Sequence, residues 1–142
     1  MKLKSRKDTL LNLVVFGVLA LVSGFVLLVM LEGEMAPEER WVFIPVTLIF
    51  GFILWMYFGT RYELSQNEFR YWYGPFNGKI KVSHIREVVK GKTVWVGFRP
   101  ATARKGLIIK YDTYGDLYIS PETNKTFVKQ LLELKSDILI SE

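Results

Sequence analysis

The sequence predicts a membrane-anchored α+β protein. Two N-terminal transmembrane helices precede a small antiparallel β-barrel or sandwich that carries a C-terminal capping helix. Three observations lead there. Two long stretches near the start have no charge, short alternating stretches follow from Arg61 onward, and strand alternation gives way abruptly to helical periodicity at Ser120-Pro121-Glu122. The 142 residues are 50% hydrophobic with a formal net charge of +5. That length suggests one domain, but the uneven spread of apolar residues divides the chain into an anchor and a soluble part.

Residues 1–9 form a basic segment containing Lys2, Lys4, Arg6 and Lys7. Two uncharged spans follow at residues 10–31 and 41–60. At a rise of about 1.5 Å per residue these reach about 33 and about 30 Å, enough for a hydrocarbon core of about 30 Å. The connecting loop at 32–40, "EGEMAPEER", has Arg40 as its single basic residue. Because Lys and Arg are retained in the cytoplasm, the reading is a multi-pass cell-membrane protein with both termini cytoplasmic and the short loop outside. Trp41, Trp55, Tyr57 and Tyr62, near the span ends, fit interfacial anchoring. A cleaved signal peptide competes for the first span. Its apolar stretch, however, exceeds the usual h-region and a second one follows closely.

Function classes narrow from the same residues. Neither span contains an ionisable side chain, which argues against a transport or proton path. The chain has no cysteine, which removes disulfides, thiolate nucleophiles and Cys-ligated metals.

Inside the hairpin, Ala20 and Gly24 are four apart in the first span, as are Thr47 and Gly51 in the second. Small residues at that spacing let backbones approach closely. The two notches would lie at similar depth and face each other; the competing reading is that small residues are simply common in membrane helices. Pro45 early in the second span would give at most a mild kink.

From Arg61 the elements shorten into the soluble domain, residues 61–142. "RYELSQNEFRYWY" reads as a hairpin with strands at 61–64 and 68–73, and "GPFNG" is a second turn. "KIKVSHI" and "TVWVGF" read as further strands, and "GLIIKYDTYGDLYIS" as a hairpin with "DTYGD" at its tip. At the junction, Ser120 can cap a helix, Pro121 suits its first turn, and Glu122 favours the positive end of its dipole. Phe127, Val128, Leu131, Leu132 and Leu134 supply an apolar stripe. A helix of this length needs a surface to bury that stripe, so it should close one end of about six strands. "DILIS" would form a short terminal extension.

The stretches "YELSQNEFRYWYGPFNGKIKVSHIREV" and "LIIKYDTYGDLYISPETNKTFVKQL" together resemble the bacterial PH-like domain family of the uncharacterised YyaB-like type, over roughly residues 61–139. The first matches a Tyr-led strand, a second strand, Gly-Pro-Phe and a strand ending in Ile. The second matches a strand, a hairpin, Ile-Ser-Pro and a helix with Phe in its first turns. The resemblance implies a PH-like fold behind a membrane anchor, with some relatives linked to self-immunity against bacteriocins. The chain departs from the family pattern at His84, where an acidic residue is expected, and in "RPATARKG", which is more basic than the usual loop.

The remaining constellations are modest. His84, the single histidine, has no nucleophile or orienting carboxylate identifiable in sequence. Asp112 and Asp116 flank a hairpin tip, where aspartates commonly form turns. Neither a metal nor a cofactor is expected. Alternating aromatic and basic residues in "EFRYWYG" are explained by strands with one buried face, so nucleic acid is not an expected partner.

The basic excess is the more informative signal. Residues 60–142 contain fourteen Lys or Arg against nine Asp or Glu. Lys90, Lys92, Arg99, Arg104 and Lys105 are candidates for binding anionic lipid or a partner, each gaining about 1 kcal/mol beside an anionic leaflet. The competing reading is a set of solvated loops. The leading function is a non-enzymatic membrane protein presenting a cytoplasmic PH-like interaction module to a protein partner and membrane lipids, in bacteriocin immunity or envelope protection. The alternative is an accessory subunit packing in the bilayer against a transporter or protease.

Overall fold

The computed structural model of the chain describes residues 1–33, 36–94 and 98–142. The predicted hairpins form where alternation and turn chemistry coincide. Strand β2 (Arg61–Leu64) pairs with β3 (Glu68–Tyr73), and β3 with β4 (Phe76–Lys81) across a Gly74-Pro75 turn. Gly74 adopts φ +58° there, a left-handed conformation that glycine tolerates without a Cβ clash. β5 (Ile85–Lys90) pairs antiparallel with β6 (Leu107–Tyr111), and β6 with β7 (Gly115–Ile119).

The expected strand "KIKVSHI" divides in two. β4 ends at Lys81, Val82–His84 makes one 3₁₀ turn, and β5 then runs in a different sheet. Val82 and Ile85 are both buried. Residues three apart point to opposite faces of a strand, and these two share one because the chain between them turns through 3₁₀ geometry. Half of the strand expected over "TVWVGF", residues 95–97, lies outside the described residues.

One strand was not expected, and the short terminal extension over "DILIS" takes the form of another. Lys2–Lys4 forms strand β1, antiparallel to β2, with Lys2 opposite Glu63, Leu3 opposite Tyr62 and Lys4 opposite Arg61. Leu139–Ser141 forms β8, parallel to β5. Among the described residues the sheets are therefore β1-β2-β3-β4 and β7-β6-β5-β8. The domain does not begin at residue 61: the basic N-terminal segment supplies its edge strand, and Leu3 joins the core.

The core lies between the two sheets and helix α3 (Asn124–Leu134). Alternation turns Tyr62 and Leu64, Leu107 and Ile109, and Leu117 and Ile119 inward. Helix α3 buries Phe127, Val128 and Leu131, and the Phe127 ring meets Phe69 edge-on at 5.4 Å. Burying each such side chain stabilises the fold by about 1.5–3 kcal/mol. Leu134, expected in the stripe, remains exposed at the helix end.

The Ser120-Pro121-Glu122 junction works differently from its sequence reading. α3 starts only at Asn124, its N-cap is Thr123, and no side chain caps it. Ser120 is fully buried, Pro121 forms an isolated β-bridge with Ser5, and the Glu122 amide donates to the Lys4 carbonyl at 3.0 Å. The three residues thus continue extended backbone onto the N-terminal segment. A helical turn there would break that pairing.

Between β1 and β2 the chain makes an apolar hairpin. α1 (Thr9–Glu32) is capped by Asp8, whose side chain accepts from the Leu10 amide, and ends at Gly33 in the left-handed region. A 3₁₀ segment (Pro37–Val42) leads into α2 (Phe43–Phe58). α1, and the 3₁₀ segment together with α2 (Pro37–Phe58), are each long and apolar enough to cross a membrane. Half-buried positions recur at Val15, Leu19, Val22, Val26 and Val29, and at Phe43, Val46, Phe50 and Leu54. At the foot of the hairpin Phe16 meets Tyr57 edge-on at 6.2 Å.

The expected pairing of small-residue notches is therefore not the contact. A Cβ added at Gly24 or Gly51 would meet nothing within 4 Å. Ala20 and Thr47 are exposed, and the Thr47 hydroxyl donates to its own helix at Phe43 O, 2.9 Å away. The half-buried positions on both helices are bulky Val, Leu and Phe residues instead.

Candidate functional site

The pairing of β1 with β2 brings the two roots of the hairpin together, and a buried polar cluster fastens them. The Ser5 hydroxyl lies 2.8 Å from Thr102 Oγ1, 3.0 Å from Ser120 Oγ and 3.2 Å from the Tyr62 hydroxyl. Tyr62 donates to the Pro100 carbonyl at 2.5 Å and accepts from the Ser120 amide at 3.1 Å. Thr102 Oγ1 donates to the Arg6 carbonyl at 2.8 Å, and the Arg6 amide to the Ser120 carbonyl at 2.8 Å. Buried polar groups must find such partners. Burial raises the Tyr62 phenol above its ordinary value, so the neutral form is the one the core holds.

This cluster draws the 99–105 loop against the start of α1 and creates a recess of about 660 Å³ there. Arg6, Lys7, Arg104 and Lys105 line it, together with Asp8, Thr9 and Thr93. Arg6 Nη2 donates to the carbonyls of Arg104 at 2.5 Å and Lys105 at 3.1 Å. Arg104 Nε donates to Asp8 Oδ2 at 2.7 Å. That bond, helped by the Leu10 amide, lowers the Asp8 carboxyl to about 2. The Lys7 ammonium stands 4.0 Å from the Phe58 ring centroid and 4.8 Å from that of Tyr57, at the end of α2. Lys105 has φ +52°, and its amide donates to Thr93 Oγ1 at 3.0 Å. Four cations thus surround a single carboxylate, an arrangement suited to holding an anion such as a phosphate.

Of the five basic residues singled out in sequence, the recess unites Arg104 and Lys105. Lys90 ends β5 and Lys92 follows the Gly91 turn, where its charge helps lower the Glu87 carboxyl. The larger causes of that lowering are hydrogen bonds from Ser141 and Lys110. Arg99 donates to the Val94 carbonyl at 2.5 Å. Sequence reasoning missed Arg6 and Lys7 as partners, because 98 positions separate Arg6 from Arg104. Their charge was visible, but only as a topological signal.

His84 gains a carboxylate that the sequence did not identify. Its Nδ1 lies 2.8 Å from Asp112 Oδ1, with both side chains about half exposed. The Asp112 amide also donates to the His84 carbonyl at 3.1 Å. The pair clamps the 3₁₀ turn to the β6–β7 tip. Among the described residues no group of three or more His, Asp or Glu side chains converges on a metal-binding geometry.

Comparison with known proteins adds two likenesses. A family model described as bacterial PH domain matches residues 60–135. The uncharacterized protein YyaB of Bacillus subtilis (strain 168) is 27% identical over 138 residues, spanning 96% of this chain and 94% of that protein. No solved structure matches the chain.

Proposed function

The chain belongs to the bacterial PH domain family, and from that premise we propose a non-enzymatic integral membrane protein whose two-pass hairpin holds a PH-like interaction module against the cytoplasmic face. There the module binds a protein partner and anionic lipid head groups. The observation that carries this reading is the β1–β2 pairing, with Lys4 opposite Arg61. Strands from both ends of the hairpin are neighbours, so both hairpin roots leave the domain on one face. The lysines and arginines before α1 favour the cytoplasmic side. The recess of Arg6, Lys7, Arg104 and Lys105 then stands at head-group level, where each basic residue gains about 1 kcal/mol from an anionic leaflet. Protection of the envelope, bacteriocin immunity included, is the physiological output we assign on the family resemblance.

The absence of native cysteine makes the test direct. Single cysteines at Lys2, Ala36 and Thr123 are labelled in intact cells with a membrane-impermeant thiol reagent. Labelling at Ala36 alone is expected. Labelling at Lys2 and Thr123 would reverse the orientation, and labelling of Lys2 without Thr123 would break the shared-face arrangement. For the physiological output, a deletion strain with unchanged sensitivity to bacteriocins and envelope stress would remove that assignment.

One observation favours a second reading, an accessory subunit docking in the bilayer. The Gly24 and Gly51 notches are open on the outside of the hairpin. Under this reading Gly24→Leu with Gly51→Leu abolishes function while the soluble module still folds; under the leading reading function survives.

A further inference from the structure

The β3–β4 turn sits against the last turn of α2. A Cβ on Gly74 would lie 3.0 Å from Met56 Cα, and one on Gly59 would lie 3.2 Å from Gly74 Cα. Met56 is two residues from the end of α2, so the turn reaches the depth at which α2 ends, within about 3 Å along the helix axis. Tyr73 and Phe76 face each other across this turn as the closing pair of the hairpin. Phe98 joins them, its ring centroid 6.1 Å from Tyr73 and 6.3 Å from Phe76, both edge-on.

These rings are not core residues. Phe76 and Phe98 are each 49% exposed, although each is large enough to stabilise the fold by about 1.5–3 kcal/mol if buried. Trp55 and Phe58 near the end of α2 are exposed as well. Arg61 lies over the neighbouring Trp72 at 5.0 Å, which adds a cation at the same level. Aromatic rings flanked by basic groups are the composition favoured where a protein meets the bilayer–water interface.

We propose that Tyr73, Phe76 and Phe98 form an aromatic foot that inserts into the interfacial layer of the bilayer beside α2. The inference rests on the reading of α1 and α2 as membrane spans. With the basic recess beside α1, it gives the domain a second point of contact, and two contacts fix tilt as well as position. The occupant is lipid rather than protein, because the turn that carries the foot packs on Met56 at the depth where the apolar helix α2 ends. The β6–β7 tip marks the opposite end of the domain. β6 and β7 run from the root, at Gly106 and Ser120, to Tyr114, which is 95% exposed, and five strand residues span about 17 Å.

The full chain is reconstituted in vesicles of phosphatidylcholine and phosphatidylglycerol containing doxyl-labelled lipid. Single cysteines at positions 75, 76, 98, 21 and 114 carry an environment-sensitive fluorophore. Pro75→Cys keeps all three rings and guards against loss of fold in Phe76→Cys or Phe98→Cys. Lipid quenching at 75, 76 and 98 approaching that at Leu21→Cys, with none at Tyr114→Cys, is the expected result. Quenching at Leu21→Cys while 75, 76 and 98 stay as bright as Tyr114→Cys overturns the foot but leaves the anchor standing. Protection of 76 and 98 from aqueous iodide without lipid quenching means a protein covers the patch, and also overturns it. No quenching at Leu21→Cys removes the membrane reading, and the foot with it.

Discussion

The hydroxyls of Ser5 and Ser120 lie 3.0 Å apart, although 115 positions separate them. Both helices of the apolar hairpin fall within that interval. The hairpin is thus an insertion between two adjacent strands, rather than an anchor tied to one end of a finished domain. Any movement between the roots of α1 and α2 must be transmitted to a buried hydrogen-bond cluster and to the edge of a sheet.

Tyr62 holds that cluster together, so Tyr62→Phe is expected to cost about 1–3 kcal/mol. The substitution leaves the Pro100 carbonyl and the Ser120 amide without their buried partner. Unfolding of the purified full chain, followed by tryptophan fluorescence, measures it. The phenol also predicts an alkaline limb. Its folded value is raised above 10 by burial, so its contribution is complete below about pH 10 and is lost as pH rises through the folded value. Tyr62→Phe should flatten that limb.

Residues 60–142 alone should not fold to a stable monomer, because they lack β1 and leave the β2 edge and the site of Leu3 uncovered. A chimera joining residues 1–7 to 60–142 through a short Gly-rich loop should restore the fold, since Lys4 and Arg61 are already paired. Hydrogen exchange at the Leu64 amide, which donates to the Met1 carbonyl at 2.8 Å, distinguishes the two. Equal protection in both would show β1 to be dispensable.

The Asp8–Arg104 tie predicts acid sensitivity at the root of α1. The Asp8 carboxyl is lowered from 3.8 to about 2, chiefly by the Arg104 hydrogen bond. A depressed carboxyl stabilises above its unfolded value, and that stabilisation disappears as pH falls through the folded one. Thermal stability should therefore decline between about pH 4 and about pH 2. Asp8→Asn should be less stable at neutral pH and lack this part of the decline; an unchanged acid limb in the variant would contradict the assignment.

Gly74→Val should loosen the seat of the β3–β4 turn on α2. The glycine has φ +58°, and a side chain there would press on Met56. Holding a non-glycine residue in that region costs about 1–3 kcal/mol. The turn is expected to lift away, with increased proteolysis near Tyr73, while the Phe69–Phe127 core keeps its protection from exchange.

Lys7→Gln with Lys105→Gln should weaken retention of phosphatidylglycerol by the purified protein. At about 1 kcal/mol per basic residue, the pair accounts for roughly a 30-fold change in affinity. Native mass spectrometry with added phosphatidylglycerol reads it directly. Lys90→Gln with Lys92→Gln is the matched control, expected to retain lipid because neither residue lines the recess.

The sequence by itself determined the elements whose information is local. Alternation and turn residues determined β2, β3 and the β6–β7 hairpin. The uncharged runs determined α1 and α2, and the Phe127–Val128–Leu131 stripe determined the buried face of α3. Only the tertiary structure decided the elements whose partners are distant. Lys2–Lys4 has one apolar residue, too short a pattern to announce a strand, and becomes one because the β2 edge offers hydrogen bonds. Ser120 has the local chemistry of a helix cap, but Ser5 and Tyr62 supply stronger competition once folding brings them within 3.2 Å of one another. The recess divides the same way. Each charge is written in the chain, but the meeting of Arg6 with Arg104 depends on a sheet that closes across the entire hairpin. Periodicity records what a residue does for its own segment; long-range hydrogen bonds and charge pairs exist only after the loop between them has closed.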